Sequence, residues 1–267
     1  DESTPFFMYV PFTAVHTPFD EPKPYLARCE HISDQRRQYA ASCVHLDESI
    51  GKIIDALEKT DQRDNTVIIF LSDNGGTNGD DSKAYPDTQR TTLIQGLNKP
   101  LRGWKKQLWE GGIRVPALIN WPGRLAPGRV EEAIHVTDWL PTLASMIGHK
   151  TDPANPIDGV DLWPLFTGQR APVAWDTRTL YSLGVQAKSA SLHHGPWKLI
   201  VNNAPNGKHQ LFNLQQDPTE KNDVADQNSP IVEDLLERLE RASQLDNAAL
   251  PNRENDDKKP SSVPAGQ

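Results

Sequence analysis

A long amphipathic helix followed at once by an apolar strand restricts this chain more than any other feature. From Ser33 to about Lys59, Tyr39, Cys43, Leu46, Ile50, Ile53, Ile54 and Leu57 recur at steps of three and four. They form one apolar stripe aimed at a core. The period then breaks, and residues 66–72, TVIIFLS, read as a buried strand that ends on Asp73, Asn74 and two glycines. Residues 5–12, PFFMYVPF, read as an earlier buried strand, followed by the proline-rich loop HTPFDEPKPYL. Strand, long helix, strand is the grammar of an α/β protein whose mostly parallel or mixed sheet is flanked by helices.

Residues 77–99 are polar and without period, a long loop of the kind that serves function or moves. VPALINW (115–121) is the next strand. Thr137 and Asp138 suit a helix start, Leu140, Leu143 and Ile147 share a face, and Gly148 suits its stop. After Gly168, RTLYSLG, SASLHHG, WKLIVNN and HQLFNL are short strand-like runs joined by turn residues, and SPIVEDLLERLERASQL is an amphipathic helix. We therefore expect an α/β portion over residues 1–168, a subdomain of four antiparallel strands and a helix over 169–245, and a disordered tail over 246–267.

The formal charge of −8 argues against a nucleic-acid partner, and no apolar run approaches the roughly 20 residues of a membrane span. The opening DESTPFFMYV has neither an initiator Met nor the basic and apolar regions of a signal peptide, so the sequence is expected to start inside a gene product. Cys29 and Cys43 are the only cysteines and form no CxxC pair, which leaves zinc and dithiol redox sites unsupported and their own redox state open.

Ligands of open α/β sheets bind beyond the carboxyl ends of strands. His16 follows the run 5–12, and Asp73 with Asn74 ends the run 66–72. An Asp carboxylate and an Asn carbonyl are oxygen donors fit for Ca²⁺ or Mg²⁺, although both residues also simply favour turns. KPLRGWKKQLWEGGIRVPALI brings Arg102, Lys105 and Lys106 close to a strand; a lysine there either binds a dianion or belongs to a solvated basic patch. His16 is either a turn residue or a proton-transfer group.

Taken together, AVHTPF, SDNGG and PLRGWKKQLWEGGIRVP, followed by VTDWLPTLASMIG, IDGVDLWPLFTG and WKLIVNN…QLFNLQQDPTEKNDVA, resemble the second half of formylglycine-dependent sulfatases of the alkaline phosphatase superfamily. Arylsulfatase B-like and bacterial polysaccharide sulfatases are the most similar, and the likeness spans about residues 5–243. The resemblance implies a sulfuric ester hydrolase that acts on a sulfated carbohydrate or aryl sulfate. Asp73 and Asn74 would ligate one active-site Ca²⁺; His16 and Lys105 would touch the sulfate, either of them protonating the departing alcohol. Arg102 is a second sulfate contact or a loop brace, and Trp104 a surface for a sugar ring or a packing residue. Family habit also implies a periplasmic or secreted location.

Neither Cys29 nor Cys43, nor any serine, opens the C/S-x-P/A-x-R motif from which formylglycine is made. The family's N-terminal aspartates are absent as well. The expected nucleophile and the remaining Ca²⁺ ligands therefore belong to a preceding half, and these residues alone are expected to be inactive unless a partner chain supplies it. A phosphoester hydrolase of the same superfamily and a non-catalytic, sulfated-glycan-binding remnant or subunit are the alternatives. Asp138 and Asp161 read as helix caps, Asp158-Gly159 as a turn, and His193 and His194 as members of the C-terminal sheet.

Overall fold

The computed structural model describes residues 4–86, 93–155, 157–172, 178–185, 188–202 and 208–246. The chain divides into two compact units, Asp1–Ala174 and Trp175–Gln267. In the first, α1 (Lys23–Arg28) and α2 (Asp34–Lys59) precede β1 (Ile68–Leu71), β2 (Asn78–Asp80), β3 (Leu93–Gln95), α3 (Glu110–Ile113), β4 (Ala117–Asn120), α4 (Trp139–Met146) and α5 (Trp163–Phe166).

Helix α2 starts after Ser33 with Asp34 in its first turn, where a negative charge suits the helix dipole. It ends in a Schellman motif: Gln62 N–H donates to Leu57 O at 2.9 Å, Asp61 N–H donates to Glu58 O at 3.1 Å, and Asp61 takes a φ of 55°. Tyr25 stacks on His45 at 4.0 Å and Phe19 meets Tyr39 edge-on at 6.2 Å, which seats α1 and the segment before it on α2. The predicted stripe is only half-buried; Ala41 and Ser42 are the buried residues of this helix.

The mixed α/β class holds, but among the described residues the strand pairs of this unit are antiparallel. β1 pairs with β4, from Ile68 opposite Asn120 to Leu71 opposite Ala117, and β2 pairs with β3. A parallel pair needs a crossover, usually a helix. The chain instead returns from β1 to β4 through a hairpin and the short α3. That hairpin lies within the stretch read as a loop, of which residues 87–92 are outside the described residues.

Residues 5–12 are not a buried strand. They form no ladder, and Phe7 and Tyr9 are 81% and 78% exposed. A strand needs a neighbour to take its N–H and C=O groups, and no described strand pairs with this run. Asp138 stands at the N-cap position of α4 but makes no side-chain cap bond to that helix. Its buried carboxylate accepts from His135 N–H at 2.7 Å and from Val160 N–H at 3.0 Å, tying α4 to the loop before α5. Asp161 is not the cap of α5, whose N-cap is Leu162; it stands one residue earlier and accepts from Trp163 N–H at 2.8 Å in a local turn.

In the second unit, β5 (Thr179–Leu183), β6 (Ser189–His194), β7 (Trp197–Asn202) and β8 (Gln210–Asn213) form an antiparallel sheet in chain order, followed by α6 (Ser229–Asp246). Leu192, Leu199, Val201, Leu211 and Leu235 make its core, so α6 enters through Leu235. The tail read as disordered lies outside the described residues from 247 onwards. Among the described residues, no helix is long and apolar enough to cross a membrane.

Candidate active site

Strand β1 delivers the Asp73-Asn74 turn. Ser72 N–H donates to Pro116 O at 3.1 Å, extending the β1–β4 pairing by one step, and the Ser72 hydroxyl donates to Asn74 O at 3.1 Å. Asn74 N–H donates to Asp73 Oδ1 at 2.9 Å, and Asn74 Nδ2 donates to Gly75 O at 3.0 Å. Asp73 Oδ2 and Asn74 Oδ1 are left without a hydrogen-bond partner among the described residues. Asp73 is exposed and Asn74 half-buried. The turn thus presents two neighbouring hard oxygens.

The glycines of SDNGG and WEGG explain each other. Gly75 N–H donates to Gly112 O at 2.9 Å, and a Cβ on Gly75 would lie 1.8 Å from Gly111 O. A Cβ on Gly111 would meet Arg102 O at 2.5 Å, and one on Gly112 would meet Gln107 O at 2.1 Å. Bare backbone is required on both sides for the Asp73 turn, α3 and the loop 102–107 to close on one another.

Lys105 belongs to the same knot. Its N–H donates to Gly76 O at 3.1 Å, two residues beyond Asn74, and the residue is half-buried. The next residue, Lys106, takes a φ of 75°. Arg102 lies over the Trp109 ring, 4.1 Å from its centroid, which is the geometry of a brace. Trp104 is half-buried, its N–H donating to Gln107 Oε1 at 2.9 Å.

His16 sits on a separate loop. Its N–H donates to Thr13 O at 2.8 Å, and Nδ1 lies 2.8 Å from Thr17 O. A carbonyl oxygen only accepts, so Nδ1 carries the proton and Nε2 is the nitrogen left for other chemistry. Beside it opens a polar cleft of about 220 Å³ lined by residues including Thr13, His16, Asp20, Glu21 and the buried Ser42. The buried Thr17 hydroxyl donates to Asp81 Oδ2 at 2.6 Å, which moors the His16 loop to the segment following β2. Asp73, Asn74 and Lys105 are therefore joined directly, and His16 through one further loop. Thr17 and Asp81 escape a sequence reading because their only signal is a contact between residues far apart in the chain.

A family model described as Sulfatase matches residues 1–149, and one described as N-sulphoglucosamine sulphohydrolase, C-terminal, matches residues 102–245. Arylsulfatase J of Mus musculus is 32% identical over 95% of this chain and 47% of its own length. N-acetylgalactosamine-6-sulfatase of Homo sapiens is 33% identical over 60% of this chain and 28% of its own. Among solved structures, Ps i-CgsB superimposes with a TM-score of 0.77 at 31% identity, covering 91% of this chain and 51% of that one. The chain spans about half the length of the first of these relatives and of this structure. The fold is similar to the alkaline phosphatase-like sulfatases, and the chain belongs to the sulfatase family.

Proposed function

We propose that these residues form the second part of the catalytic domain of a sulfuric ester hydrolase, which releases inorganic sulfate from a sulfated saccharide or aryl sulfate. The observation that carries the reading is the Gly76 carbonyl, which accepts the Lys105 N–H beside the turn that presents Asp73 and Asn74. The loop that carries a cationic side chain is thereby tied through its backbone to the turn that carries two hard oxygen donors. A sulfated sugar fits the relatives: one is named N-acetylgalactosamine-6-sulfatase, and Ps i-CgsB has been seen in complex with k-i-k-neocarrahexaose. A periplasmic or secreted location goes with this reading.

The donors fit Ca²⁺ in kind, since hard cations take carboxylate and amide oxygens. They do not fill its six to eight positions, and no group of three or more His, Cys, Asp or Glu gathers among the described residues. Asp73 and Asn74 would hold one side of the ion, with the other ligands and the formylglycine in a preceding segment. A bound Ca²⁺ would supply Lewis-acid polarisation of the sulfate oxygens. Lys105 places positive charge against the sulfate and so favours charge building on the oxygens in the transition state. His16, with Nδ1–H held by Thr17 O, has Nε2 available to hydrogen-bond the sulfate or to protonate the leaving alcohol.

The test compares the native polypeptide containing these residues with its Asp73→Ala, Asn74→Ala and Lys105→Ala variants. We expect p-nitrophenyl sulfate turnover to fall at least about 100-fold in each, with bound calcium lost only in the first two. The 267-residue chain alone is expected to be inactive. Unchanged turnover and calcium content in both Asp73→Ala and Asn74→Ala would refute the site, and faster turnover of the phosphate ester than of the sulfate would turn the reading to a phosphoesterase.

A further inference from the structure

Asn98 lies in the half-buried approach to the Lys105 loop, and its side chain makes three hydrogen bonds to backbone. Gly76 N–H donates to Asn98 Oδ1 at 2.9 Å. Asn98 Nδ2 donates to Gly76 O at 2.8 Å and to Gly103 O at 2.9 Å. Its own carbonyl accepts from Leu101 N–H at 2.9 Å, closing the turn that fixes where the side chain starts.

The demand at this position is chemically narrow. One backbone donor and two backbone acceptors must be met by a single short side chain. Only a primary amide offers one acceptor and two N–H donors in one plane. Asp would keep the acceptor and set a carboxylate against two carbonyl oxygens, while Leu or Ala would meet none of the three. Gly76 O accepts from both Asn98 Nδ2 and Lys105 N–H, so the same peptide that follows the Asp73-Asn74 turn receives Asn98 on one side and Lys105 on the other. Gly103, two residues before Lys105, is the third point of attachment and adopts a φ of 91°.

We infer that Asn98 is the positioning residue of the site. It couples the turn bearing Asp73 and Asn74 to the loop bearing Lys105, and so sets the distance between the cation ligands and the sulfate-binding ammonium. The inference rests on the proposed sulfatase reading for its functional consequence, and on the three hydrogen bonds for its structural one. Neighbours that orient metal ligands typically change affinity or activity by about 10- to 100-fold when removed. The same range is expected here for kcat/KM and for calcium affinity.

The experiment uses the native polypeptide with Asn98→Ala and Asn98→Asp, and Leu97→Ala, an exposed neighbour, as control. Residue-resolved hydrogen exchange reads the Gly76 and Lys105 amides, calorimetry reads calcium affinity, and initial rates separate kcat from KM. We expect Asn98→Ala to speed exchange at both Gly76 and Lys105 roughly tenfold, and Asn98→Asp, which keeps the acceptor for Gly76 N–H, to do so at Lys105, with β1 and β4 amides unchanged. Calcium affinity should fall about 10- to 100-fold, with kcat falling more than KM rises. Unchanged exchange at Gly76 and Lys105 in both variants overturns the inference, as does altered exchange with wild-type calcium affinity and kcat. If the wild-type polypeptide neither binds calcium nor turns over sulfate esters, the sulfatase reading of the site falls, and the exchange at Gly76 and Lys105 alone decides whether Asn98 positions the two segments.

Discussion

In the C-terminal unit, Lys198 Nζ lies 2.8 Å from Glu220 Oε1, and the two residues are 1% and 0% exposed. Lys198 is on β7, a central strand, opposite His193 on β6 and Phe212 on β8. Glu220 reaches it from a tight turn with a φ of 55°. At that separation, two unit charges attract by about 6 kcal/mol for an effective dielectric constant of 20. Desolvating both ions costs several kcal/mol each, so the pair contributes little net stability. Removing one partner is different, because the survivor stays buried and loses the charge 2.8 Å away. Lys198→Met or Glu220→Met alone should therefore cost about 3–5 kcal/mol, whereas the double replacement should recover most of that loss.

Hydrogen exchange at the β7 amides of the 267-residue chain is the suitable assay. Those amides lie on a central strand paired on both sides, so they exchange when the sheet opens. A cost of about 3–5 kcal/mol lowers their protection by roughly two to three and a half powers of ten. A single variant that changes protection by less than about fivefold would refute the reasoning, and so would a double variant as damaged as the two singles combined.

Four further outcomes follow from single positions. Burial opposes ionisation of Asp217, but N–H groups of Asn222, Lys221 and Thr219 and the Thr219 hydroxyl outweigh it and hold the carboxyl below its usual range. A depressed acid stabilises the fold above its unfolded pKa of about 3.9, and that stability is lost as pH falls through the folded value. Asp217→Asn should therefore shrink the stability difference between neutral and acidic pH, read by urea unfolding at each pH. Gly75→Ala forces a Cβ against the fixed Gly111 carbonyl and should cost about 3 kcal/mol in thermal unfolding. Gly51→Ala, in open space on α2, should instead stabilise by up to about 1 kcal/mol. Burial pushes the Cys43 thiol up, against the opposing hydrogen bond with Tyr39; iodoacetamide should modify it at least about tenfold more slowly than a free thiol at neutral pH, and urea should abolish the difference.

Helix α2 and the C-terminal sheet were legible because their signals are local and repeated. Seven apolar residues at helical spacing announce one face of α2, and short runs divided by turn residues announce β5 to β8. The run 5–12 misleads for the opposite reason. Its composition is that of a strand, but strand formation depends on a partner, and Phe7 and Tyr9 stay exposed where no described strand pairs with it. Hairpin β2–β3 carries three residues on each side, too few for alternation to register.

The site divides along the same line. Asp73, Asn74, His16 and Lys105 are legible as chemistry, because their side chains are the kinds that hold cations, protons and anions. What ties the Asp73-Asn74 turn to the Lys105 loop is the Gly76 carbonyl, the bare faces of Gly75 and Gly111, and the side-chain amide of Asn98, while the His16 loop is moored through Thr17 and Asp81. Backbone groups are the same in every residue and leave no mark on composition or period. Their demands show only as constraints on what must be absent, a Cβ at Gly75, or on what cannot be replaced, both N–H donors of Asn98. Asn98 reads as an ordinary turn residue in GLNKPLRG. Only the 22-residue return that brings it to Gly76 turns that amide into a joint between the Asp73-Asn74 turn and the Lys105 loop.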